Sequence, residues 1–312
     1  KLKVEPPESF ANLAPDCHPI ATKSRRYSQE DFEFIDKEVT RLLAEGIIEP
    51  SQSPWRAQFV VTNDENHKKT LVIDYSQTIN RFTFLDAFPL PNISEMVNNI
   101  AKYRVFSTID LRSAYHQLPR KDEDKPYTAF EARNGLYQFT RLLFGVTNGV
   151  ACFKREMVKL VEQHALTGVF PYLDNITICG KDQKEHDENL ERFLEAAKFK
   201  NVCYNDDKSI FSTRCLSLLG YLIEEGTIRP DPERLRPLRE LPVPHNSKSL
   251  KRCLGLFAYY SQWIPEYSDR IKPITSCKSF PLSQRAVQAF ESLKKTVEEA
   301  VVAAIDDRVP FE

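Results

Sequence analysis

The chain has 312 residues, 41% of them hydrophobic and 28% charged, which is enough apolar material for one large core or several smaller ones. A formal net charge of −1 excludes a uniformly basic coat, so any surface for a polyanion has to be local. The sequence shows no secretory signal pattern and no apolar run of bilayer length, and its seven cysteines (17, 152, 179, 203, 215, 253 and 277) lack a CxxC pair or a histidine at zinc-ligand spacing, which fits reduced thiols in an intracellular protein.

Residues 1–27 hold four prolines and little periodicity, which predicts an extended arm. A helix is predicted over 28–46, with Ser28 as N-cap, acids in the first turn, one stripe of Phe32, Ile35, Val39, Leu42 and Leu43, and Gly46 as terminator. β-like runs at 58–62 and 70–75 around a polar stretch predict a hairpin. Pro89 and Pro91 break the chain ahead of a short helix near 93–101, and 105–109 reads as a strand ending at Asp110. Runs at 127–130 and 136–140 flank Asn134–Gly135, a hairpin signal. Phe153, Met157, Leu160 and Val161 predict a helix over 152–164. Runs at 169–173 and 176–179 predict a second hairpin carrying Asp174–Asn175, followed by an amphipathic helix over 183–200 whose Glu185, Asp187, Glu188 and Glu191 face solvent. From 229 onward, prolines 230, 232, 237, 242 and 244 punctuate short helices. A longer helix over 247–263, another between Pro265 and Pro273, and a last one over 283–300 complete an α+β chain with a helical C-terminal part.

The chemistry concentrates in FSTIDLRSAYHQLP (106–119) and VFPYLDNITICG (169–180). Asp110 ends one apolar run, and Asp174 and Asn175 separate two others. Carboxylates brought together over a sheet suit Mg²⁺, which is held by one or two acids plus substrate phosphates, and such a site serves phosphoryl transfer. The residues alone leave other readings open. A strand-end Asp is also a turn former or helix cap, Asp-Asn is a sound hairpin turn without any metal, and the same acids would serve a metal-dependent nuclease. Basic residues between Arg229 and Arg252 read either as a local polyanion surface or as a solvated helical face.

The two segments resemble motifs A and C of reverse transcriptases, specifically the polymerase of gypsy-class long-terminal-repeat retroelements. SPWRAQFVV (53–61), DYSQTINRFT (74–83), FPLPNI (88–93), the block 127–153, LLGYLI (218–223), IRPDPERL (228–235) and the block 250–274 follow in the family's order, so the resemblance covers roughly residues 40–300. It implies a right-hand polymerase: an arm over 1–27, interleaved fingers and palm over 28–228 with an antiparallel sheet packed on helices, a helical thumb over 229–278, and over 279–312 a connecting helix and the start of an RNase H domain that would follow in a longer polypeptide. The implied reaction is RNA- or DNA-templated addition of dNTPs to a primer 3′-hydroxyl, with two Mg²⁺ ions (or Mn²⁺ in their place) on Asp110, the Leu111 carbonyl, Asp174 and Asn175. Tyr115 matches the steric gate that selects deoxynucleotides, Phe144 and Gly145 match the nucleotide pocket, and Lys208 matches a lysine near the leaving pyrophosphate. Leu219, Gly220 and Tyr221 match the primer grip, and Arg234, Arg239, Lys248, Lys251 and Arg252 would contact the duplex backbone. A homodimer or partner subunit is left open, a membrane is not expected, and the implied location is cytoplasmic, within a retroelement particle.

Three departures stand against that pattern. Asn175 occupies the position of a second aspartate and supplies an oxygen without charge. Thr70 stands where relatives carry an arginine, which leaves Lys68 and Lys69 as the nearby cations for a triphosphate. Leu143 and Val150 stand where many relatives have proline. The first two leave a second reading open, a catalytically silent nucleic-acid-binding subunit with the same fold.

Overall fold

The computed structural model describes residues 2–63, 69–89, 91–133 and 135–303. Helix α1 (Gln29–Ala44) begins where Ser28 Oγ accepts the Asp31 amide at 3.1 Å and gives way to Gly46 at φ +64°. Then follow β1 (Ile48–Pro50), β2 (Gln58–Asn63), β3 (Lys69–Asp74), α2 (Ile93–Ile100), β4 (Val105–Leu111), β5 (Phe130–Ala132), β6 (Gly135–Phe139), α3 (Gly149–Gln163), β7 (Val169–Tyr172), β8 (Asn175–Gly180), α4 (Gln183–Lys200) and β9 (Tyr204–Thr213). The remaining elements are β10 (Cys215–Leu218), β11 (Tyr221–Glu224), β12 (Thr227–Pro230), α5 (Arg236–Arg239), α6 (Ser247–Tyr259), α7 (Tyr267–Thr275) and α8 (Gln284–Ala303). The chain divides into two units, residues 1–92 with 107–212 and residues 93–106 with 213–312.

The first unit has two cores. In one, Ile35, Val39 and Leu42 of α1 pack with Phe59 and Ile73 of the β2–β3 pair and with Phe130 and Phe139 of the sheet ordered β1-β6-β5. The other lies under the sheet ordered β7-β8-β4-β9. There Phe153, Met157 and Leu160 of α3 and Phe193, Ala196 and Ala197 of α4 cover Ile109 and Leu111 of β4 and Ile176 and Ile178 of β8. Burying apolar side chains of this size stabilises by roughly 1.5–3 kcal/mol each, which holds β4 and β8 rigidly beneath whatever their ends present. The N-terminal arm is extended but stitched down. Its Leu2 amide donates to Gln117 O at 3.0 Å and its Ala14 amide to Phe82 O at 2.7 Å, and Leu2 and Phe10 are buried in different cores.

The second unit carries the antiparallel sheet β10-β11-β12. Helix α6 opens with a reciprocal capping box between Asn246 and Ser249. Its Leu250, Cys253 and Phe257 join Ile271 and Ile274 of α7 and Phe290, Leu293 and Val297 of α8 in one core.

Several sequence expectations shift. Residues 122–128, partly expected as strand, form a 3-10 helix, because Pro126 fixes φ and cannot donate to a ladder. The β7–β8 turn is Leu173–Asp174 rather than Asp174–Asn175, since Asn175 pairs with Tyr172. Helix α6 stops at Tyr259, and Ser261–Trp263 tightens into a separate 3-10 turn. Strands β1 and β9 were not anticipated at all. The expected first strand of a following domain, at 304–312, lies outside the described residues, as do Lys68 and Asn134.

Candidate functional site

The two sequence-predicted acids meet at one end of the β7-β8-β4-β9 sheet. The Leu111 amide, at the end of β4, donates to the Asp174 carbonyl at 2.8 Å, which sets the β7–β8 turn beside Asp110. Asp110 is half-buried and Asp174 exposed. Leu173 takes φ +51°, an uncommon conformation for a residue with a β-carbon, and this carries Asp174 out over the sheet end. Strand β9 holds the other side of Asp110. Asn205 Nδ2 donates to Asp110 Oδ1 at 2.8 Å, and the Asp110 amide donates to Ser209 Oγ at 3.1 Å. Asn175 Nδ2 donates to its neighbour Asp174 Oδ1 at 3.3 Å.

Among the described residues, no group of three or more His, Cys, Asp or Glu side chains could hold a metal ion. A pair of carboxylates with an amide oxygen is a hard, all-oxygen donor set that fits a divalent cation completing its shell with water and phosphate oxygens, the habit of Mg²⁺. The residues present therefore fit the metal that the resemblance implies.

Tyr115 follows in a 3-10 turn, Ala114–Gln117, after β4. Its ring lies 5.0 Å from Phe153 and 5.6 Å, edge-on, from Phe144. Burial pushes its phenol above the ordinary tyrosine value, and the negative charge of Asp174 pushes the same way, so ring and carboxylate share one environment. Phe144 is 67% exposed, a large aromatic left facing solvent. Gly145 next to it sits at φ +100°, where a side chain would be strained. Asn80 ties this loop down, donating to Gly145 O at 2.7 Å and accepting the Thr147 amide at 2.9 Å.

Of the expected phosphate cations, Lys69 is less available. Lys69 Nζ is engaged by Glu30 at 2.8 Å and Asp31 at 2.7 Å, and these acids hold its ammonium above the ordinary lysine range. Lys208 is exposed on β9. In the second unit, Leu219 and Gly220 form the β10–β11 turn at φ +53° and +87°. The Tyr221 ring lies 5.8 Å from Trp263. Arg239 pairs with Glu298 at 3.7 Å, while Lys248, Lys251 and Arg252 stand exposed on α6. Arg234 lies in the 3-10 turn Pro232–Leu235, with its side chain outside the described set.

Residues 62–223 match the family model for reverse transcriptase (RNA-dependent DNA polymerase). The chain belongs to the reverse transcriptase family. Among curated relatives, the retrovirus-related Pol polyprotein from transposon opus of Drosophila melanogaster is 32% identical over 297 residues, covering 88% of this chain and 29% of the relative. The corresponding polyprotein from transposon gypsy is 27% identical over 320 residues, 95% of this chain and 31% of the relative. An enzymatic polyprotein of cauliflower mosaic virus is 28% identical over 260 residues, 82% of this chain and 38% of the relative. The chain thus spans only about a third of the length of these relatives. A foamy viral protease-reverse transcriptase solved in complex with dsDNA superposes with a TM-score of 0.83 at 20% identity, covering 96% of this chain and 63% of that one. The same foamy viral protein solved with an RNA/DNA hybrid gives 0.79 at 20% identity, covering 95% and 40%. The fold is therefore the α+β right-hand polymerase fold.

The side chains that hold this site in place carry no mark in the sequence pattern. Asn205 and Ser209 flank Lys208 in NDDKSIF, a segment that reads as polar and turn-like. Gln117, buried at 8% exposure, spends its amide on Arg112 O and Cys203 O, both at 2.7 Å, and accepts the Cys203 amide at 2.8 Å. Asn80 does comparable work at the Gly145 loop. The available signal was chemical: Asn and Gln carry donor and acceptor together and can bridge two backbones.

Proposed function

We propose that the chain adds deoxynucleotides to a primer 3′-hydroxyl on an RNA or DNA template, with Asp110 and Asp174 as the charged ligands of two Mg²⁺ ions. Mn²⁺ would substitute, and Asn175 and the Leu111 carbonyl would serve as neutral oxygen ligands. One observation carries this reading: the Leu111–Asp174 backbone bond brings both acids to one sheet end. The metals supply a more acidic attacking hydroxyl and charge neutralisation at the leaving pyrophosphate. The chain's own residues supply position, and alignment of this kind accounts for much of phosphoryl-transfer catalysis. Tyr115, held beside Phe144 and Phe153, offers its ring as the surface that a 2′-hydroxyl would strike. Gly145 lets a nucleotide approach the backbone closely. Lys208 is the exposed cation for the phosphates. Leu219, Gly220 and Tyr221 would grip the primer, and Arg239, Lys248, Lys251 and Arg252 would supply salt-dependent contacts to the duplex backbone. Template recognition is then by shape and phosphate rather than by base sequence. The foamy viral relative was solved with dsDNA and with an RNA/DNA hybrid, which supports both kinds of duplex as ligands here.

A second reading, a catalytically silent subunit that binds nucleic acid, is favoured by two observations. Asn175 brings no charge and turns its amide onto Asp174, and Lys69 is locked to α1. Primer extension on an RNA template, in Mg²⁺ and separately in Mn²⁺, decides between them. Extension that Asp110→Ala abolishes supports the polymerase. Extension appearing only after Asn175→Asp means a sound pocket in a silent chain. Failure of both forms, with primer–template still bound, leaves the subunit.

A further inference from the structure

Strand β9 does something that a regular strand cannot do. Ser209 Oγ donates to Asn205 O at 2.6 Å, four residues back along the chain, although a straight strand would separate such residues by about 13 Å. A sharp bend at Asp206, Asp207 and Lys208, all exposed, therefore brings Asn205 and Ser209 to one place. Both then engage Asp110, the first its carboxylate Oδ1 and the second its backbone amide. Gln117 pins the start of β9 in turn, since its side chain bridges Cys203 and Arg112 O. Among the described residues, the Asp174 side chain is met only by the adjacent Asn175, at a longer 3.3 Å.

We propose that Asn205 is a positioning residue for Asp110. Its amide occupies Oδ1, fixes the carboxylate rotation, and leaves Oδ2 as the oxygen offered to a divalent cation. Ser209 and the β9 bend hold Asn205 in register for this task. Hydrogen bonds to ligating carboxylates are costly to remove, about 10- to 100-fold in metal affinity or activity. The inference rests on the reading of Asp110 as a metal ligand, and the experiment separates the two.

Mn²⁺ binding to the full chain is measured by electron paramagnetic resonance of the free aquo ion, alongside thermal unfolding. The variants are Asn205→Ala, the volume-matched Asn205→Leu, Asp110→Ala, and Asp110→Ala combined with Asn205→Ala. Asn205→Ala and Asn205→Leu should each weaken Mn²⁺ binding by about tenfold while unfolding stays cooperative. Asn205→Ala should add nothing in the Asp110→Ala background, because it acts through that carboxylate. Unchanged Mn²⁺ affinity in both Asn205 variants, with binding lost in Asp110→Ala, overturns the positioning role alone. Unchanged affinity in Asp110→Ala removes the ligand assignment beneath it. Loss of cooperative unfolding in both Asn205 variants, but not in Asp110→Ala, makes the bond a fold determinant and likewise overturns the proposal.

Discussion

Two tight turns in this chain are built to the same length and use it differently. The β10–β11 turn links Leu218 to its partner Tyr221 through Leu219 and Gly220, and the β7–β8 turn links Tyr172 to Asn175 through Leu173 and Asp174. In the first, φ is positive at both central residues, the type I′ geometry that matches strand twist, and glycine takes the position of larger φ. In the second, Leu173 adopts φ +51° and the next residue is an acid. A residue with a β-carbon in that region costs roughly 1–2 kcal/mol. The Leu111–Asp174 backbone bond and the buried Ile176 and Ile178 just beyond offset the cost. Leu219 carries the same cost in the β10–β11 turn, so the two turns part at their second position, where one places glycine at φ +87° and the other presents a carboxylate.

The sharpest way to break that contrast is Asp174→Ala. It should lower primer extension by on the order of a thousandfold, as loss of a main charge-stabilising group does, yet barely move Tm because the side chain is exposed. A large fall in Tm would mean that Asp174 is a structural turn residue after all. The pair Gly220→Ala and Leu173→Gly tests the shape argument next. Gly220→Ala, at φ +87°, should cost roughly 1–2 kcal/mol, or a Tm about 1.5–3 °C lower for a chain of this size, read by circular dichroism. Leu173→Gly should leave Tm unchanged or higher and slow extension, because the relaxed turn no longer fixes the acid. If Leu173→Gly instead lowers Tm, the leucine side chain rather than its backbone holds the turn.

The smallest expected effect lies at His116, next to Tyr115 on the β4 side of the site. Burial, and then the charge of Arg41, hold its pKa below the ordinary 6.5. The folded chain therefore binds this proton less readily than the unfolded chain does. The contribution of His116 to stability is complete above 6.5 and is lost as pH falls through the folded value. His116→Gln should flatten the fall in Tm between about pH 7 and about pH 5. An unchanged slope would assign the acid sensitivity to other groups.

Much of the local structure was legible because its causes are local. Ser28 caps its helix through the amide three residues ahead, and Gly46 stops α1, as their residue types imply. The places of Asp110 near the end of β4 and of Asp174 between β7 and β8 were legible from the apolar runs on either side. The register of the β7–β8 turn was not, because Leu-Asp and Asp-Asn differ by a single slip and local preference favours the wrong one. Strand β9 was hidden for a related reason. Its acids and lysine sit on a sheet edge, where charge is tolerated and guards against further pairing, so no alternation betrays it.

What the sequence alone determined is the inventory: where most of the longer helices lie, which runs are apolar enough to become core strands, and which residue types could carry the chemistry. Those properties depend on neighbours within a few positions, where capping, φ preference and hydrophobic periodicity act. What only the tertiary structure decided is assembly at the site. It set the β4 end against the Asp174 carbonyl, bent β9 so that Asn205 and Ser209 reach Asp110, and committed Lys69 to Glu30 and Asp31. Each of these bonds spans tens of residues of chain. Its partner is chosen by which buried faces must close together, and no local spacing records that choice.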